Sequence, residues 1–307
     1  MPHVDVNGAR LWVEEDGSGP AVLFVHGGLG DLRLWEPQAR ALATRFRCIR
    51  YDLRFWGRSE SPGVEFSSVD DAIGLLDALG VDRAAIVGLS LGGGLALDVT
   101  LAHPDRVWAL VHAAAGVSGM PVDAYGAEQE AAYEEAEARG DLAAMMAIDF
   151  AVWALVHVAA GVSGMPVDAY GAEQEAAYEE AEARGDLAAM MAIDFAAWAP
   201  LGVDDELREL WHATPDARGV PDGAKPLPPE PAAERLEQVA APTLVIVPAY
   251  DPPAQREVGA TVARRVPGAQ LVEVDSDHYL TLREPDRVTA AIESFLTASS
   301  PSTSSGR

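Results

Sequence analysis

The chain has 307 residues, 49% of them apolar and 23% charged, and a formal net charge of −26. This composition is typical of a globular protein, and such a negative field disfavours binding to nucleic acid or to an anionic membrane surface. The single cysteine, Cys48, excludes an intrachain disulfide. The N-terminal residues lack the basic and apolar regions of a signal peptide, and no apolar run is long enough to span a membrane, so we expect a cytoplasmic protein.

The first part of the chain predicts strands that alternate with helices. Continuous apolar runs, typical of strands buried on both faces, are PAVLFVHGG, RCIRYDL, AAIVGLS and VWALVHAAA. Segments with helical spacing lie between them, namely LWEPQARALATRF, VDDAIGLLDALG and LGGGLALDVTLAHPDR. This order predicts an α/β fold with a mostly parallel sheet covered by helices on both faces.

The same alternation returns near the C-terminus, in PTLVIVPAYD, AQREVGATVARRV, AQLVEVDSD and PDRVTAAIESFL. The chain between the two parts is rich in Ala and Glu and reads as helical. We therefore predict a core formed by residues 1–118 and 240–298, with a helical lid inserted at 119–239. The Ser- and Thr-rich residues 299–307 predict a disordered tail.

A block of 45 residues occurs twice in tandem, at 107–151 and 152–196, with Ala113 against Val158 as the one mismatch. Repeat architectures of this period usually need about three or more units, because one unit cannot bury its own apolar face. The chain has no third copy. We therefore interpret the block as a duplication that enlarges the lid of another fold.

The duplication gives the sheet two candidates for one strand. Because Val107–Ala115 directly follows a predicted helix, we expect the first copy to supply the strand and one copy to be dispensable. The second copy would then have no place in the sheet, and the stretch from Asp141 to about Val158 should form one long apolar lid helix. The alternative is a mixture of species, in some of which the second copy serves as the strand and the first is looped out.

A candidate nucleophile lies between a predicted strand and a predicted helix. The sequence Gly88-Leu89-Ser90-Leu91-Gly92 has the G-x-S-x-G pattern, in which a tight turn exposes the serine at the edge of the sheet. Ser90 would also lie at a helix N-terminus, where free N–H groups favour developing negative charge. The alternative is a glycine-rich turn with an incidental serine.

A serine nucleophile needs a base, and the chain offers seven histidines. His278 follows the last predicted strand, in a loop expected at the active edge of the sheet. His26 precedes two glycines and is expected to order their loop. The remaining histidines lie at the N-terminus, at a helix end, in apolar runs or in the lid: His3, His103, His112, His157 and His212. We predict that His278 is the base.

The imidazole needs a carboxylate that fixes its tautomer. Asp251 ends the strand PTLVIVPAYD, whereas the rivals Asp275 and Asp277 are too close to His278 in sequence to reach its far side easily. Ser90, Asp251 and His278 also follow the chain order of nucleophile-elbow hydrolases.

The oxyanion hole should combine two backbone N–H groups, from Leu91 after the nucleophile and from Gly28 in the loop after PAVLFVHGG. Gly28-Leu29-Gly30 is a weak dinucleotide motif, because Arg33 replaces its third glycine. A phosphate-binding loop, H-E-x-x-H and C-x-x-C are all absent from the sequence. We therefore expect neither a cofactor nor a metal.

Together the segments FVHGGLGD, RYDLR, GLSLGGGLALDVTLAHPDRV, PTLVIVPAYDPPA and DHYL resemble the α/β-hydrolase family. Within the family, GDLRLWEPQARALATRFRCIRYDLR is most similar to carboxylic-ester and enol-lactone hydrolases. One position departs from the family pattern, which has Gly-x-Gly where this chain has Phe55-Trp56-Gly57. If that position requires a positive φ, Phe55 is strained, and the two aromatic residues could narrow the mouth of the pocket.

The sequence therefore predicts a serine hydrolase that acts on a small-molecule ester or lactone, with Trp56, Leu29 and Tyr279 as candidate substrate contacts. A carbon–carbon bond hydrolase or a haloperoxidase-like enzyme is the alternative within the same fold. A ligand-binding protein without catalytic activity is the alternative from another class. The sequence gives no indication of the oligomeric state.

Overall fold

A mostly parallel sheet organises the computed structural model, which describes residues 3–120, 177, 180–181, 184–214, 220–221 and 223–301. The strands are β1 (His3–Val6), β2 (Ala9–Gly17), β3 (Ala21–Val25), β4 (Arg47–Tyr51), β5 (Glu65–Phe66), β6 (Ala84–Leu89), β7 (Val107–Ala113), β8 (Lys225–Pro226), β9 (Thr243–Pro248) and β10 (Gln270–Val274). The helices are α1 (Glu36–Leu42), α2 (Ser68–Ala78), α3 (Leu91–Ala102), α4 (Leu187–Trp198), α5 (Asp205–Trp211), α6 (Pro253–Arg265), α7 (Leu280–Arg283) and α8 (Pro285–Ser299).

Within the described residues, eight strands form the main sheet in the order β1-β2-β4-β3-β6-β7-β9-β10. The pairs β1–β2 and β2–β4 are antiparallel, and every later pair is parallel. Strands β3, β6, β7 and β9 are buried along their whole length, as their continuous apolar sequences predict. The predicted α/β fold class is confirmed.

Two hydrophobic cores lie on opposite faces of this sheet. Alternate residues of a strand point to opposite faces, so Phe24 of β3 joins one core and Leu23 joins the other. The first core includes side chains of α1, α4, α5 and α8, and the second includes side chains of α2, α3 and α6. Helices therefore cover both faces, and the carboxyl ends of the parallel strands remain for the loops that carry chemistry.

The first copy of the duplicated block supplies the strand between β6 and β9. Leu89 pairs with Ala113 on one side of β7, and Val111 pairs with Leu244 on the other. The expectation that the first copy occupies the sheet is therefore confirmed. The second VWALVH segment and the long helix predicted from Asp141 to about Val158 lie outside the described residues, whereas the end of the second copy forms most of α4.

Two features were not predicted. A parallel ladder of two residues joins β5 to β8, which links the loop after β4 to the segment that precedes β9. In addition, α8 extends to Ser299, one residue into the predicted tail, while residues 302–307 lie outside the description. No helix among the described residues is both long and apolar enough to cross a bilayer.

Candidate active site

Ser90 lies at a sharp turn between β6 and α3. Its backbone has φ 56° and ψ −122°, a conformation that ordinary side chains avoid. The backbone N–H of Ser90 donates to the carbonyl oxygen of Ala113 at 2.8 Å, so the turn is hydrogen-bonded to the end of β7. The side chain is 2% exposed, and among the described residues no hydrogen-bond partner reaches its Oγ. The backbone thus presents a serine hydroxyl at the carboxyl edge of the sheet.

The glycines around Ser90 are required by close backbone contacts. A Cβ on Gly88 would overlap the carbonyl oxygen of Gly92, and a Cβ on Gly92 would overlap the carbonyl oxygens of Val25 and His26. The G-x-S-x-G pattern therefore reflects the packing of α3 against β3 and β6, as well as the turn itself.

His278 and Asp251 form a hydrogen-bonded pair beyond the ends of β10 and β9. His278 Nδ1 lies 2.9 Å from Asp251 Oδ2, and each residue is 4% exposed. Burial raises the pKa of Asp251, and the adjacent His278 opposes that shift. When the carboxylate accepts from Nδ1–H, Nε2 becomes the nitrogen that can take up a proton.

The rival carboxylates are engaged elsewhere. Asp275 is exposed, and Tyr250 hydrogen-bonds to it. Asp277 is fully buried and accepts the backbone N–H groups of Leu201 at 3.3 Å and Tyr279 at 3.2 Å. The Arg283 guanidinium also contacts Asp277 and donates to the carbonyl of Gly202. Asp277 therefore joins the loop of His278 to the chain that follows α4.

Two other histidines have structural contacts. His26 Nε2 accepts the N–H of Leu53 at 3.0 Å while its Nδ1 lies 2.8 Å from the carbonyl oxygen of Gly27. Burial lowers the pKa of His26 to about 4, so this loop-ordering imidazole is neutral. His112 is fully buried on β7, with Nε2 3.0 Å from the carbonyl oxygen of Gly116, and burial lowers its pKa to about 4 as well.

Three further histidines have contacts with other parts of the described chain. His3 Nε2 is 3.2 Å from the carbonyl oxygen of Arg58, and His103 caps the end of α3. His212 is exposed and lies edge-on to Trp211. His157 lies outside the described residues.

The loop after β3 lies against both Ser90 and the loop of His278. A Cβ on Gly27 would be 3.2 Å from the Cβ of Ser90, and the hydroxyl of Tyr279 lies 3.5 Å from the carbonyl oxygen of Leu29. The structure thus brings the predicted oxyanion loop to the nucleophile turn and to the neighbour of His278. Leu91 begins α3, where α-helical geometry leaves the first N–H groups without an intrahelical acceptor.

The three predicted substrate contacts are all buried. Leu29 is 3% exposed, Tyr279 2% and Trp56 7%. Trp56 Nε1 donates to the carbonyl oxygen of Gly28 at 2.8 Å, so its polar atom is used within the protein.

Phe55 has φ 73°, and the expectation of a strained backbone at this departure from the family pattern is confirmed. Its ring packs edge-on against Phe66 at 5.4 Å between centroids. Gly57 also has a positive φ, and a Cβ there would overlap the carboxylate of Asp52. Both Phe55 and Trp56 therefore pack inside the protein.

Helix α4 carries an aromatic residue that the sequence did not identify. The Trp198 ring lies 4.6 Å from the His278 ring between centroids, and the Trp198 carbonyl oxygen accepts the His278 N–H at 3.3 Å. On the same helix, the Asp194 carboxylate accepts Trp211 Nε1 at 2.6 Å. A signal was present, since FAAWAP places a tryptophan two residues before a proline in the Ala-rich segment, but no local pattern indicates its partner.

A metal centre would need several ligands close together. In the described part of the chain, no group of three or more His, Cys, Asp or Glu side chains could hold a metal ion. The site instead contains a buried serine, a histidine–carboxylate pair and a glycine loop with backbone N–H groups.

Part of the chain is similar in sequence to known proteins. An "Epoxide hydrolase" of Caballeronia sordidicola is 39% identical over 109 residues, which are 34% of this chain and 33% of that protein. The alignment therefore spans about a third of the relative's length.

Solved structures match over nearly the whole chain. The enol-lactonase from Burkholderia xenovorans LB400 has a TM-score of 0.60 at 23% identity and covers 96% of this chain and 100% of its own. A thermophilic esterase from Thermogutta terrifontis has a TM-score of 0.65 at 23% identity, with 98% and 100% covered. At this identity the likeness shows the fold alone. The family model of the alpha/beta hydrolase fold matches residues 20–285, so the chain belongs to the α/β-hydrolase fold family.

Proposed function

We propose that this chain is a serine hydrolase that cleaves a small-molecule carboxylic ester or lactone through an acyl-enzyme on Ser90. The observation that carries the proposal is the hydrogen bond between His278 Nδ1 and Asp251 Oδ2, at the sheet edge where the strained turn of Ser90 presents its hydroxyl. This set provides a nucleophile, a base and a group that orients the base.

The proposed reaction has two halves. Ser90 Oγ attacks the substrate carbonyl carbon while His278 Nε2 takes the hydroxyl proton, and the carbonyl oxygen becomes an oxyanion facing the N–H groups of Gly28 and Leu91. The C–O bond then breaks, and His278 returns the proton to the leaving alkoxide. Water next attacks the acyl-enzyme with His278 as base, which releases the acid and restores Ser90.

The identity of the nucleophile argues against epoxide hydrolysis, in spite of the related epoxide hydrolase. Serine attack on an epoxide carbon would leave an ether on Ser90, and an ether has no carbonyl carbon for water to attack. An ester or lactone gives an acyl-enzyme that water can hydrolyse. We therefore propose acyl transfer to water as the reaction of this chain.

The insertion supports this use of the site. Trp198 lies against the imidazole of His278, and the aromatic residues of α4 and α5 join the hydrophobic core that contains Leu29 and Tyr279. We propose that the segment carrying α4 and α5 acts as a lid that covers the reacting groups and excludes water. An apolar cover favours an uncharged acyl or alcohol group.

An alkyl fluorophosphonate probe tests the nucleophile without knowledge of the natural substrate. The full-length protein should be labelled once, at Ser90, and Ser90→Ala should abolish labelling. A panel of p-nitrophenyl esters and lactones then tests turnover. Labelling that survives Ser90→Ala would disprove the nucleophile, and a labelled protein that turns over no ester or lactone would favour carbon–carbon bond cleavage or ligand binding.

Asp251→Asn tests the carboxylate. We expect turnover to fall by about 10⁴-fold without unfolding, because the imidazole loses the group that fixes its tautomer. Asp275→Asn is the matched control, because Asp275 is exposed and contacts Tyr250 rather than His278. Equal losses in the two variants would show that Asp251 has no special role.

A further inference from the structure

Three consecutive carbonyl groups in the oxyanion loop each lie beside a side-chain donor. The carbonyl oxygen of Gly27 lies 2.8 Å from His26 Nδ1, that of Gly28 lies 2.8 Å from Trp56 Nε1, and that of Leu29 lies 3.5 Å from the hydroxyl of Tyr279. The three donors come from three different segments of the chain. The loop is therefore held through its carbonyl oxygens.

A donor on a carbonyl also sets the direction of the next N–H. A peptide unit is planar and trans, so the C=O of one residue and the N–H of the following residue point in opposite directions. His26 thus orients the N–H of Gly28, and Trp56 orients the N–H of Leu29. The proposed oxyanion donor, the Gly28 N–H, therefore belongs to the peptide that His26 holds, and Trp56 holds the peptide on the other side of Gly28.

The turn that carries Trp56 has an unusual backbone. Phe55 has a positive φ, an outlier for an aromatic residue, and backbone strain of this kind clusters at functional sites. Hydrogen bonds of 3.0 Å, from the Trp56 N–H to Leu53 O and from the Ser59 N–H to Trp56 O, close the turn. This strained turn places the indole N–H of Trp56 within hydrogen-bonding distance of the oxyanion loop.

We infer that Trp56 is a positioning residue for the oxyanion hole. Its indole N–H holds the peptide that follows Gly28, and together with His26 on the preceding peptide it fixes Gly28 from both sides. The Gly28 N–H is thereby kept in the orientation that transition-state stabilisation requires. The inference rests on the proposed serine-hydrolase function. It gives Trp56 a role in stabilising the transition state through the backbone, in place of the direct substrate contact predicted from the sequence.

The test compares Trp56→Phe with Trp108→Phe. Trp108 Nε1 also donates to a backbone carbonyl, that of Ala21 at 3.1 Å, and Trp108 is buried as well, at 4% exposed. Ala21 begins β3, whereas Gly28 lies beyond its other end. Both variants therefore lose one buried indole N–H, at opposite ends of the same strand, and only one of them concerns the oxyanion loop.

Deletion of an oxyanion donor itself lowers kcat by about 10²–10³-fold, so loss of its support should cost roughly tenfold in Trp56→Phe. We expect KM to stay within about twofold, because the lost interaction acts in the transition state. The rate of fluorophosphonate labelling should fall in parallel, since charge also develops on the phosphoryl oxygen. Trp108→Phe should leave kcat and labelling unchanged.

Several outcomes would overturn the inference. Equal kcat values and equal labelling rates in Trp56→Phe and Trp108→Phe would overturn it. If the unsubstituted chain still hydrolyses esters, the proposed function is unaffected by that result. A raised KM with unchanged kcat in Trp56→Phe would instead show that Trp56 contacts the substrate, as the sequence predicted. If the unsubstituted chain is neither labelled nor active, the proposed function fails, and amide hydrogen exchange over residues 26–31 decides instead. Faster exchange in Trp56→Phe alone would show that the indole N–H holds the loop, and equal exchange in both variants would refute that contact as well.

If Phe at position 56 prevents folding, benzothienylalanine in place of Trp56 repeats the experiment. This residue keeps the bicyclic ring and replaces the N–H by sulfur, so packing is retained while the donor is lost. Normal kcat and labelling in this variant would overturn the inference, and the roughly tenfold loss would support it.

Discussion

The two copies of the 45-residue block differ at one position, and the described residues contain a different end of each copy. The start of the first copy forms β7, and the end of the second copy forms most of α4. The described parts of the two copies thus complement each other. Identical local sequence does not decide which copy occupies a position, because the neighbours of that position decide it.

Each end is stabilised by its own surroundings. All seven residues of β7 are buried, with β6 on one side and β9 on the other. Helix α4 begins at Asp186, whose side chain accepts the N–H of Ala189 at 3.1 Å, and it buries Met190, Phe195 and Trp198. Apart from Ala113, every residue in these two ends has an identical twin 45 residues away in the other copy, so a substitution of the twin is a matched control.

The largest difference between twins is expected for Leu110→Ala and Leu155→Ala. Leu110 is fully buried in β7, and deletion of such a side chain costs about 2–5 kcal/mol because a cavity remains. Leu155→Ala should lower the free energy of unfolding only slightly, because Leu110 already occupies the corresponding position in the sheet. Urea denaturation of the two variants measures the difference. Equal losses would mean that both copies contribute a buried strand.

A second pair, Asp194→Ala and Asp149→Ala, compares the helical ends. Asp194 accepts the indole N–H of Trp211, which is fully buried, so removal of the carboxylate leaves that donor without its charged partner. We expect a loss of about 1.5–3 kcal/mol for Asp194→Ala and little change for Asp149→Ala. A greater loss for Asp149→Ala would show that the first copy supplies the helix in solution.

Much of the site follows from sequence because its parts lie at the ends of elements with strong local patterns. The continuous apolar run of β6 followed by G-x-S-x-G predicts the turn of Ser90, and the ends of β9 and β10 place Asp251 and His278. The strain at Phe55 was also predictable, because a bulky residue stands where the family has glycine.

The features of the fold and site that the sequence did not predict depend on contacts between residues distant in sequence. The approach of Trp198 to His278 joins α4 to the loop after β10, and no pattern within either segment specifies it. The ladder between β5 and β8 involves two residues on each side, too few to show a period. The donation from Trp56 to Gly28 arises from a turn geometry that the sequence indicates only through Phe55.

Deletion of either copy reduces the comparison between the two copies to a single residue, at position 113. Removal of residues 152–196 and removal of residues 107–151 leave the same shortened chain, except that position 113 is Ala in the first product and Val in the second. We expect the Ala product to fold, to melt at the same or a higher temperature than the full chain, and to keep esterase activity. Every proposed catalytic residue is present in both products.

The Val product should be less stable than the Ala product by about 1–3 kcal/mol, because Ala113 is fully buried and two added methyl groups overpack its site. Its activity should also fall, since the carbonyl of Ala113 accepts the N–H of Ser90 at 2.8 Å. Thermal unfolding and ester hydrolysis of the two products measure both effects. If the Ala product is insoluble, the second copy has become a structural requirement.

The smallest effect is expected for Ser118→Ala against its twin Ser163→Ala. Ser118 Oγ donates to Asp98 Oδ1 at 2.5 Å and accepts the N–H of Ala232 at 3.0 Å, so it joins the end of the first copy's described part to α3 and to the chain before β9. Burial raises the pKa of Asp98 from 3.8 to about 6, and the Ser118 hydrogen bond acts in the opposite direction.

The sign of the pH dependence follows from that shift. Between about pH 4 and pH 6 the folded chain holds the Asp98 proton more tightly than the unfolded chain, so this group favours folding most at low pH, and the benefit is lost as pH rises through about 6. Ser118→Ala removes a donor to the ionised carboxylate, which raises the pKa of Asp98 further. We therefore expect the free energy of unfolding of the variant to fall by about 0.5–1 kcal/mol near pH 4.5 and by about 1.5 kcal/mol near pH 8, measured by urea denaturation against the unsubstituted chain at each pH.

Ser163→Ala is the control, and it should show neither this loss nor its growth with pH. A loss for Ser118→Ala that is constant from pH 4.5 to pH 8 would mean that the hydroxyl stabilises the fold through Ala232 alone.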